Sequence, residues 1–226
     1  MPIPRQKYKE LKAMYDFQRK QAYNKEKVRK AVEIMFEHPE VIFDDIWAKM
    51  KESEMHDVPL DWIPEDDDLK LHDFKDRKEL CEAMYDTMKK YGGIGLSANQ
   101  VGLPFRMFIM GGHPQIDNGR VRSVFNPLIN DVSEETVSMK EGCLSFPFLF
   151  LTITRPKWCH VKYTDENGKD VEEVLHGMNA RIFQHENEHM NGYVFTDLVS
   201  KFKLKRAEEA RKKMVKRFAR EGMITK

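Results

Sequence analysis

The stretch "QHENEHMNG", residues 184–192, places two histidines four residues apart, with a glutamate directly after the first. In a helix, residues at i and i+4 share a face. His185 and His189 can therefore bind one metal ion from neighbouring helical turns, with Glu186 beside them. This pattern serves several classes of metal-dependent hydrolase, so the remaining ligand has to be found elsewhere in the chain.

The helix that carries this motif is predicted to run from about Gly177 to Asn191. Met178 and Ile182 precede His185 by seven and three residues, so they lie on the same face. That apolar stripe predicts that the face points into the molecule. Two buried core histidines with satisfied hydrogen bonds would give the same stripe, so other motifs must decide between a metal site and a packed core.

Composition limits the class of protein. The chain has 226 residues, 41% hydrophobic and 33% charged, with a formal net charge of +1. Such a length buries one good core, and such a charge gives no overall attraction to nucleic acid or a membrane. We expect no membrane span and no signal peptide. Three cysteines are too few for a disulfide framework, and Cys81 and Cys159 are predicted to be small buried residues. The expected location is the cytoplasm, with an organelle as the alternative.

The order of predicted elements indicates the fold class. A helix is predicted over 76–93, where Asp76 and Glu79 resemble a capping box and Gly92 can end the helix. Short β-prone runs follow at 105–110, 121–129, 158–164 and 171–174, and turn signals separate them at 117–119 and 166–168. This order predicts an α+β fold, with antiparallel β-sheets of short strands packed around the central motif helix.

The two ends of the chain differ from the middle. Residues 1–70 are predicted to be an extension of unknown role, with a helical stripe in 1–37 and an irregular connection over 55–68. A single domain is predicted over 71–200, and a basic C-terminal helix over 201–226, regular from about 200 to 221. The apolar face of that last helix consists of Leu204, Ala207, Ala210, Met214 and Phe218.

A catalytic metal needs a third protein ligand and an open position for water. The metzincin class of proteases is excluded, because Phe195 stands where its third histidine would be. In gluzincin proteases the third ligand is a later glutamate, and Glu209 lies at a suitable distance. The upstream candidate is Cys143, in "EGCLS". Residue types and spacing leave Glu209 and Cys143 both open.

A glycine-rich stretch, "GGIGLSANQVG" at 92–102, is the other unusual segment. It is not a phosphate loop, because no Lys-Ser/Thr pair follows. Gly93 and Gly95 allow close approach to the backbone, and the Gln100 amide is a neutral hydrogen-bond donor. The combination suits a site that holds an extended peptide and a developing oxyanion.

Taken together, "GIGLSANQ", "EGCLS" and "QHENEHMNG" resemble, in order and spacing, the three signature motifs of peptide deformylase. The resemblance runs from about Lys75 to Val199, and it includes "FNPLI" at 125–129, "RP" at 155–156 and "ARIFQH" at 180–185. It implies that residues 71–200 are a catalytic domain. The implied enzyme is a metal-dependent hydrolase that removes the formyl group from the N-terminal formylmethionine of nascent polypeptides.

The same resemblance implies a role for each site residue. The implied metal ligands are Cys143, His185 and His189. A metal-bound water would attack the formyl carbon, with Glu186 as general base and then general acid. The Gln100 side-chain amide and the backbone N–H of Leu144 would donate to the formyl oxygen.

The resemblance also implies a cofactor, a pocket and partners. Fe²⁺ is the expected metal in the cell, and Zn²⁺, Ni²⁺ or Co²⁺ can replace it in purified protein. Gly95 is expected to hydrogen-bond the peptide, and the methionine pocket is expected to consist of Ile94, Leu96, Met178 and Ile182. The partners are N-formylmethionyl peptides and, through the basic C-terminal helix, the ribosome. We expect a monomer that does not bind membranes.

Several positions depart from the family pattern. Glu188 stands where aspartate is usual, Met190 where leucine is usual, and Ser97-Ala98 where two alanines are usual. The run "FLFL" at 148–151 stands where many members continue with glycine. It could bind the second residue of a peptide, form a lid or be a buried strand, and we predict the buried strand.

Two alternatives remain at this stage. An endopeptidase using Glu209 would keep its metal after Cys143→Ala, whereas a deformylase would lose it. A non-catalytic RNA- or ribosome-binding protein with a structural metal would need four protein ligands. Such a protein would have no need of Glu186 or Gln100, and the presence of both favours an enzyme.

Overall fold

The chain forms three α-helices and seven strands within the part that the structure describes. A computed structural model describes residues 74–101, 103 and 105–221. The helices are α1 (Arg77–Lys90), α2 (Gly177–Met190) and α3 (Lys201–Arg220). The strands are β1 (Gly95–Ser97), β2 (Met107–Gly111), β3 (Val121–Val132), β4 (Thr136–Gly142), β5 (Phe150–Pro156), β6 (Trp158–Thr164) and β7 (Asp170–His176). The predictions made for residues 1–70 lie outside the described residues.

The strands form two antiparallel sheets. A five-stranded sheet has the order β1-β2-β3-β6-β7, and β4 pairs with β5 in a separate hairpin. The predicted turns join consecutive strands: Asn118 and Gly119 have positive φ between β2 and β3, and Gly168 N donates to Asp165 O at 3.0 Å between β6 and β7. The predicted α+β fold with antiparallel sheets is confirmed.

Helix α1 begins and ends where its sequence predicts. Asp76 caps it by accepting a hydrogen bond from the Glu79 backbone N–H at 2.9 Å. The Glu79 carboxylate reaches back to the N–H of Lys75 rather than that of Asp76, at 2.7 Å. Gly92, at φ +69°, turns the chain out of the helix and toward β1.

Strands β1 and β4 were not predicted from the sequence, and β5 was predicted only in its first two residues, Phe150 and Leu151. In β4 only Glu141 is buried, so the strand has no apolar periodicity. In β5 buried and exposed positions alternate from Phe150, which is 46% exposed. The prediction of a buried strand over 148–151 is therefore wrong for its first half: Phe148 and Leu149 lie in the turn before β5.

Helix α2 lies at the centre of the fold. It contacts strands of both sheets, and most of its side chains are buried. Its last carbonyls are satisfied by residues near β1 and β2: Asn99 Nδ2 donates to His189 O at 2.7 Å, and Arg106 Nη1 donates to Met190 O at 2.8 Å. These bonds hold the metal-motif helix against the glycine-rich stretch.

Helix α3 lies on the surface and has no fully buried residue. Leu204 and Ala207 pack on a core cluster that includes Leu149. Ala210 was predicted to lie on the apolar face but is exposed, and the half-buried Arg211 covers the protein surface at this level instead. Within the described residues, no helix has the length and apolar character needed to cross a membrane.

Two cysteines pack in the core as predicted. Cys81 and Cys159 are buried and unbridged. Burial raises the pKa of each thiol to about 12, so both remain protonated at neutral pH.

Candidate metal centre and active site

Helix α2 and the turn after β4 bring three metal-ligating side chains together. The ligating atoms of Cys143, His185 and His189 all lie within 4.8 Å of one another. Cys143 Sγ lies 3.3 Å from His189 Nε2, and the two imidazole rings are 4.9 Å apart at 87°. In the described part of the chain, this is the one such cluster of His, Cys, Asp or Glu side chains. Glu209 is exposed on α3 and is not part of it.

The donor set fits a tetrahedral metal ion. At zinc–ligand bond lengths of about 2.3 Å for sulfur and about 2.0–2.1 Å for nitrogen, a sulfur and a nitrogen ligand are separated by about 3.6 Å. The 3.3 Å between Cys143 and His189 is close to that value. His185 Nδ1 lies 3.2 Å from Glu141 Oε2, which leaves its Nε2 for the metal. A carboxylate on the far nitrogen is a common support for metal-binding histidines.

Glu186 is buried beside the candidate ligands and held by one hydroxyl group. Ser97 Oγ donates to Glu186 Oε2 at 2.5 Å. Burial raises the pKa of Glu186, although the charge of His185 and the Ser97 hydrogen bond oppose the shift. A Cβ on Gly95 would collide with Glu186 Oε1, so strand β1 approaches the carboxylate this closely only because residue 95 is glycine. A buried carboxyl group with a raised pKa suits proton transfer.

Gln100 points its amide nitrogen at the same place. Its Oε1 accepts a hydrogen bond from the Ser97 backbone N–H at 2.8 Å, and Ser97 Oγ, which donates to Glu186, lies 3.1 Å from it. Because the oxygen is held in this way, Nε2 faces Cys143 Sγ at 3.4 Å and Ser145 Oγ at 3.0 Å. The amide is therefore a fixed donor beside the candidate metal ligands.

A buried network of charges supports α2 from the side of the β4–β5 hairpin. Glu141 accepts hydrogen bonds from Arg155 Nε at 2.7 Å and from Arg181, and Arg155 Nη1 also donates to Glu188 at 2.6 Å. Burial alone would raise the pKa of Glu141, but hydrogen bonds from His185 and Arg155 outweigh it and lower the pKa to about 2. Glu141 thus stays ionised and fixes the ring of His185.

The sequence analysis gave no role to Glu141, Arg155 or Arg181, although each lies in a quoted motif. One signal was available: Arg181, His185 and Glu188 are spaced four and three residues apart, on the helix face that was predicted to point inward. A charged residue on such a face requires a buried partner. Glu188, one of the departures from the family pattern, has that partner in Arg155.

A cleft of about 420 Å³ lies beside the candidate metal ligands. Four of the predicted substrate-binding residues line it, namely Ile94, Gly95, Met178 and Ile182, together with Gln100, Cys143, Leu144, His185 and Glu186. Leu96 does not fit the prediction. It is 2% exposed and packs in the core between α1 and the sheet. Successive residues of a strand face opposite ways, so Leu96 points away from the side on which Gly95 meets Glu186.

Five residues that follow Cys143 also line the cleft. These residues are Phe146, Pro147, Phe148, Leu149 and Phe150. For residues 148–151 of this segment the sequence favours a buried strand over two alternatives, a lid and a contact with the second residue of a peptide.

Comparisons with known proteins agree with this geometry. The family model described as polypeptide deformylase matches residues 66–205. A peptide deformylase of Thermotoga maritima is 46% identical over 123 residues, which cover 54% of this chain and 72% of that protein. One of Maricaulis maris is 38% identical over 141 residues, covering 62% of this chain and 81% of that protein. The crystal structure of the Ehrlichia chaffeensis peptide deformylase in complex with actinonin aligns with a TM-score of 0.55 and 42% identity. That alignment covers 61% of this chain and 82% of the other.

Proposed function

The chain belongs to the polypeptide deformylase family of metalloenzymes, which remove the formyl group from N-terminal formylmethionine, and we propose that Cys143, His185 and His189 hold its metal. The observation that carries this proposal is the convergence of three ligating atoms within 4.8 Å, beside Glu186 and Gln100. When bound, the ion acts as a Lewis acid that makes water a nucleophile at neutral pH. The remaining steps belong to side chains of this chain.

Glu186 is the proposed proton carrier. Its carboxylate accepts a proton from the water that adds to the formyl carbon. It then gives that proton to the amine nitrogen as the carbon–nitrogen bond breaks, so the products are formate and a free amino terminus. Two features support this role: the buried carboxyl group has a raised pKa, and Ser97 fixes its orientation.

Gln100 and Leu144 are the proposed donors to the formyl oxygen, which gains negative charge during the attack. The Gln100 amide is already held with Nε2 toward the ligand cluster. Leu144 lines the same cleft next to Cys143, and its backbone N–H is the second proposed donor. Donors that are fixed before the reaction need no reorganisation, and removing one typically costs about 3–4 kcal/mol of barrier.

The methionine side chain is proposed to lie between the glycine-rich stretch and α2. Ile94, Met178 and Ile182 line the cleft there and provide the apolar surface. The Gly95 backbone lies beside Glu186 and is proposed to hydrogen-bond the peptide in the manner of an added strand. Leu96 has no part in this pocket.

Fe²⁺ is the metal that we propose for the cell, with Zn²⁺, Ni²⁺ or Co²⁺ as replacements. A thiolate with two imidazoles suits both iron and zinc. We also propose a cytoplasmic monomer whose helix α3 contacts the ribosome. The exposed lysines and arginines of α3 support that contact, because phosphate groups bind such a surface in a salt-dependent way.

Formate release from formyl-Met-Ala, with protein purified anaerobically in Fe²⁺, tests the proposed ligand set. Cys143→Ser should lose both metal and formate release, because the thiolate is a ligand. Glu209→Gln is the matched control on α3 and should keep both. An endopeptidase using Glu209 would release no formate, would keep its metal in Cys143→Ser and would lose it in Glu209→Gln.

A further inference from the structure

We propose that Phe148 selects among formylated peptides, favouring those whose residues after the methionine are apolar or aromatic. The inference deepens the proposed function and rests on it, since the peptide must occupy the same cleft. It starts from the backbone conformation of one residue.

Phe148 lies where a turn calls for glycine. Leu149 N donates to Phe146 O at 3.0 Å, which closes a four-residue turn with Pro147 in its second position and Phe148 in its third. Phe148 has φ +65°, the left-handed value that the third position of a type II turn requires. Glycine is the usual residue there, and a bulky side chain in this conformation is disfavoured. The contacts of the phenyl ring must therefore compensate for the unfavourable backbone conformation of Phe148.

Helix α3 holds the turn from outside. Arg211 Nε donates to the Pro147 carbonyl at 2.7 Å, and the Phe148 ring packs edge-on against Phe218 with centroids 5.3 Å apart. These contacts fix the position of the ring. They do not bury it, because Phe148 keeps an intermediate exposure.

The surface of Phe148 that remains open faces the active-site cleft. It lines that cleft together with Phe150, which is 46% exposed, and with the candidate catalytic residue Glu186 deeper inside. The methionine pocket uses the inner part of the cleft, beside α2. A peptide that leaves this pocket toward solvent therefore passes the two phenylalanine rings with its second and third residues.

The chemistry of this outer wall favours apolar side chains. A phenyl ring gains free energy by covering apolar surface, and it pairs with another aromatic ring in edge-on or offset geometry. Lys140 Nζ lies 4.9 Å from the centroid of the Phe150 ring, so Phe148 supplies the ring that has no cation over it among the described residues. Serine or glycine in the peptide would leave that ring uncovered. The wall should therefore discriminate by binding, through KM rather than kcat.

The test compares two formylated peptides, formyl-Met-Leu-Phe and formyl-Met-Ser-Ser, with nickel-loaded wild-type protein and Phe148→Gly. Glycine suits the turn, so this variant should fold with an unchanged or higher melting temperature. The wild type should prefer formyl-Met-Leu-Phe, and the variant should lower the ratio of the two kcat/KM values about tenfold, a factor equal to about 1.4 kcal/mol. The change should appear in KM.

Two further variants separate selection from support of the fold. Phe218→Ala leaves Phe148 in place but removes its packing partner, and it should lower the same ratio by a smaller factor. Phe202→Ala, 70% exposed on α3, is the matched control and should leave the ratio unchanged. An unchanged ratio in Phe148→Gly, or an equal loss of kcat for both peptides, would overturn the proposal.

Failure of the proposed function would look different. In that case the wild type itself would release no formate from either peptide. Calorimetric binding of the unformylated peptides Met-Leu-Phe and Met-Ser-Ser then measures the same preference without turnover. Equal affinities in the wild type would overturn the role of Phe148, and a preference lost in Phe148→Gly would support it.

Discussion

Helices α2 and α3 are both amphipathic, yet they use their polar residues in opposite ways. In α2 the polar residues on the inner face are buried or half-buried, and each has a named partner: Arg181 with Glu141, His185 with Glu141, and Glu188 with Arg155. In α3 the lysines and arginines lie mostly at the surface, and no residue is fully buried. Paired polar side chains on the inner face distinguish α2, which carries the proposed metal ligands, whereas abundant charge alone marks the solvated helix α3.

Substitution of Glu186 on α2 should lower catalytic activity far more than substitution of an acidic residue on α3, and this is the largest expected difference between the two helices. In Glu186→Gln the shape of the side chain and an acceptor for Ser97 remain, but the group that carries the proton is lost. We expect kcat for formyl-Met-Ala to fall about 10²–10⁴-fold with metal content unchanged. Glu208→Gln on α3 is the control and should keep the wild-type rate. Turnover at the wild-type rate by Glu186→Gln would remove Glu186 from the mechanism.

Removing a charged side chain should also lower the free energy of unfolding more when that side chain pairs with α2 than when it lies on the surface of α3. Arg155→Met leaves the half-buried Glu188 without its partner. With Arg181 as the remaining cation of the buried Glu141, we expect a loss of about 3 kcal/mol in the free energy of unfolding. Arg206→Met, exposed on α3, should stay within about 0.5 kcal/mol of the wild type. Urea denaturation of both variants measures the difference. Equal losses would mean that the buried network does not support α2.

A partly buried charge on β7, that of Glu173 at 22% exposure, sharpens the comparison. Glu173 accepts hydrogen bonds from Arg122 at 2.9 Å and from Tyr163 at 2.8 Å. Burial would raise the pKa of Glu173, but these two hydrogen bonds and the charge of Arg122 lower it. The stabilisation is therefore present at neutral pH, and it should be lost as the pH falls below the ordinary glutamate value of about 4.3 toward the lower folded-state pKa.

Glu173→Gln should lower the free energy of unfolding by about 1–3 kcal/mol at pH 7. Below the ordinary glutamate pKa of about 4.3, the stability of this variant should depend less on pH than that of the wild type. Chemical denaturation at several pH values measures both effects. If the variant and the wild type lose stability in parallel as the pH falls, Glu173 does not contribute to acid unfolding.

Neutralising the surface of α3 should have the smallest effect on stability. Lys212, Lys213 and Lys216 are exposed, so changing all three to Gln should alter the free energy of unfolding by less than about 0.5 kcal/mol per site. Co-sedimentation with ribosomes at low salt should nevertheless fall, because fewer phosphates are neutralised. Unchanged co-sedimentation would exclude these lysines from the ribosome contact.

The sequence predicted most of what α2 does and less of what surrounds it. Its period and its two histidines predict the helix and two ligands, and the "EGCLS" motif adds Cys143. Burial of Glu141 was not predictable from the local pattern, because no other residue of β4 is buried. Arg155 follows Leu151 and Ile153 on the buried face of β5, so there the pattern predicts burial but not the partners of the charge. The burial of both charged residues depends on α2 packing over the β4–β5 hairpin, which is a tertiary effect.

Two residues near the cleft show the limits of local pattern in another way. Leu96 was assigned to the pocket by its closeness in sequence to Gly95, but the alternation of a strand turns it into the core. Phe148 was assigned to a strand by its apolar neighbours, but Pro147 begins a turn in which residue 148 has positive φ. Pro147 is not followed by the glycine that usually marks such a turn, so the turn was not predicted from the sequence.

The metal centre itself can be tested most directly by X-ray absorption at the zinc edge of zinc-loaded protein. We predict one sulfur ligand at about 2.3 Å with two imidazole nitrogens, and loss of the sulfur in Cys143→Ser. A shell of nitrogen and oxygen alone in the wild type would contradict the assignment of Cys143 and favour Glu209 as the third ligand.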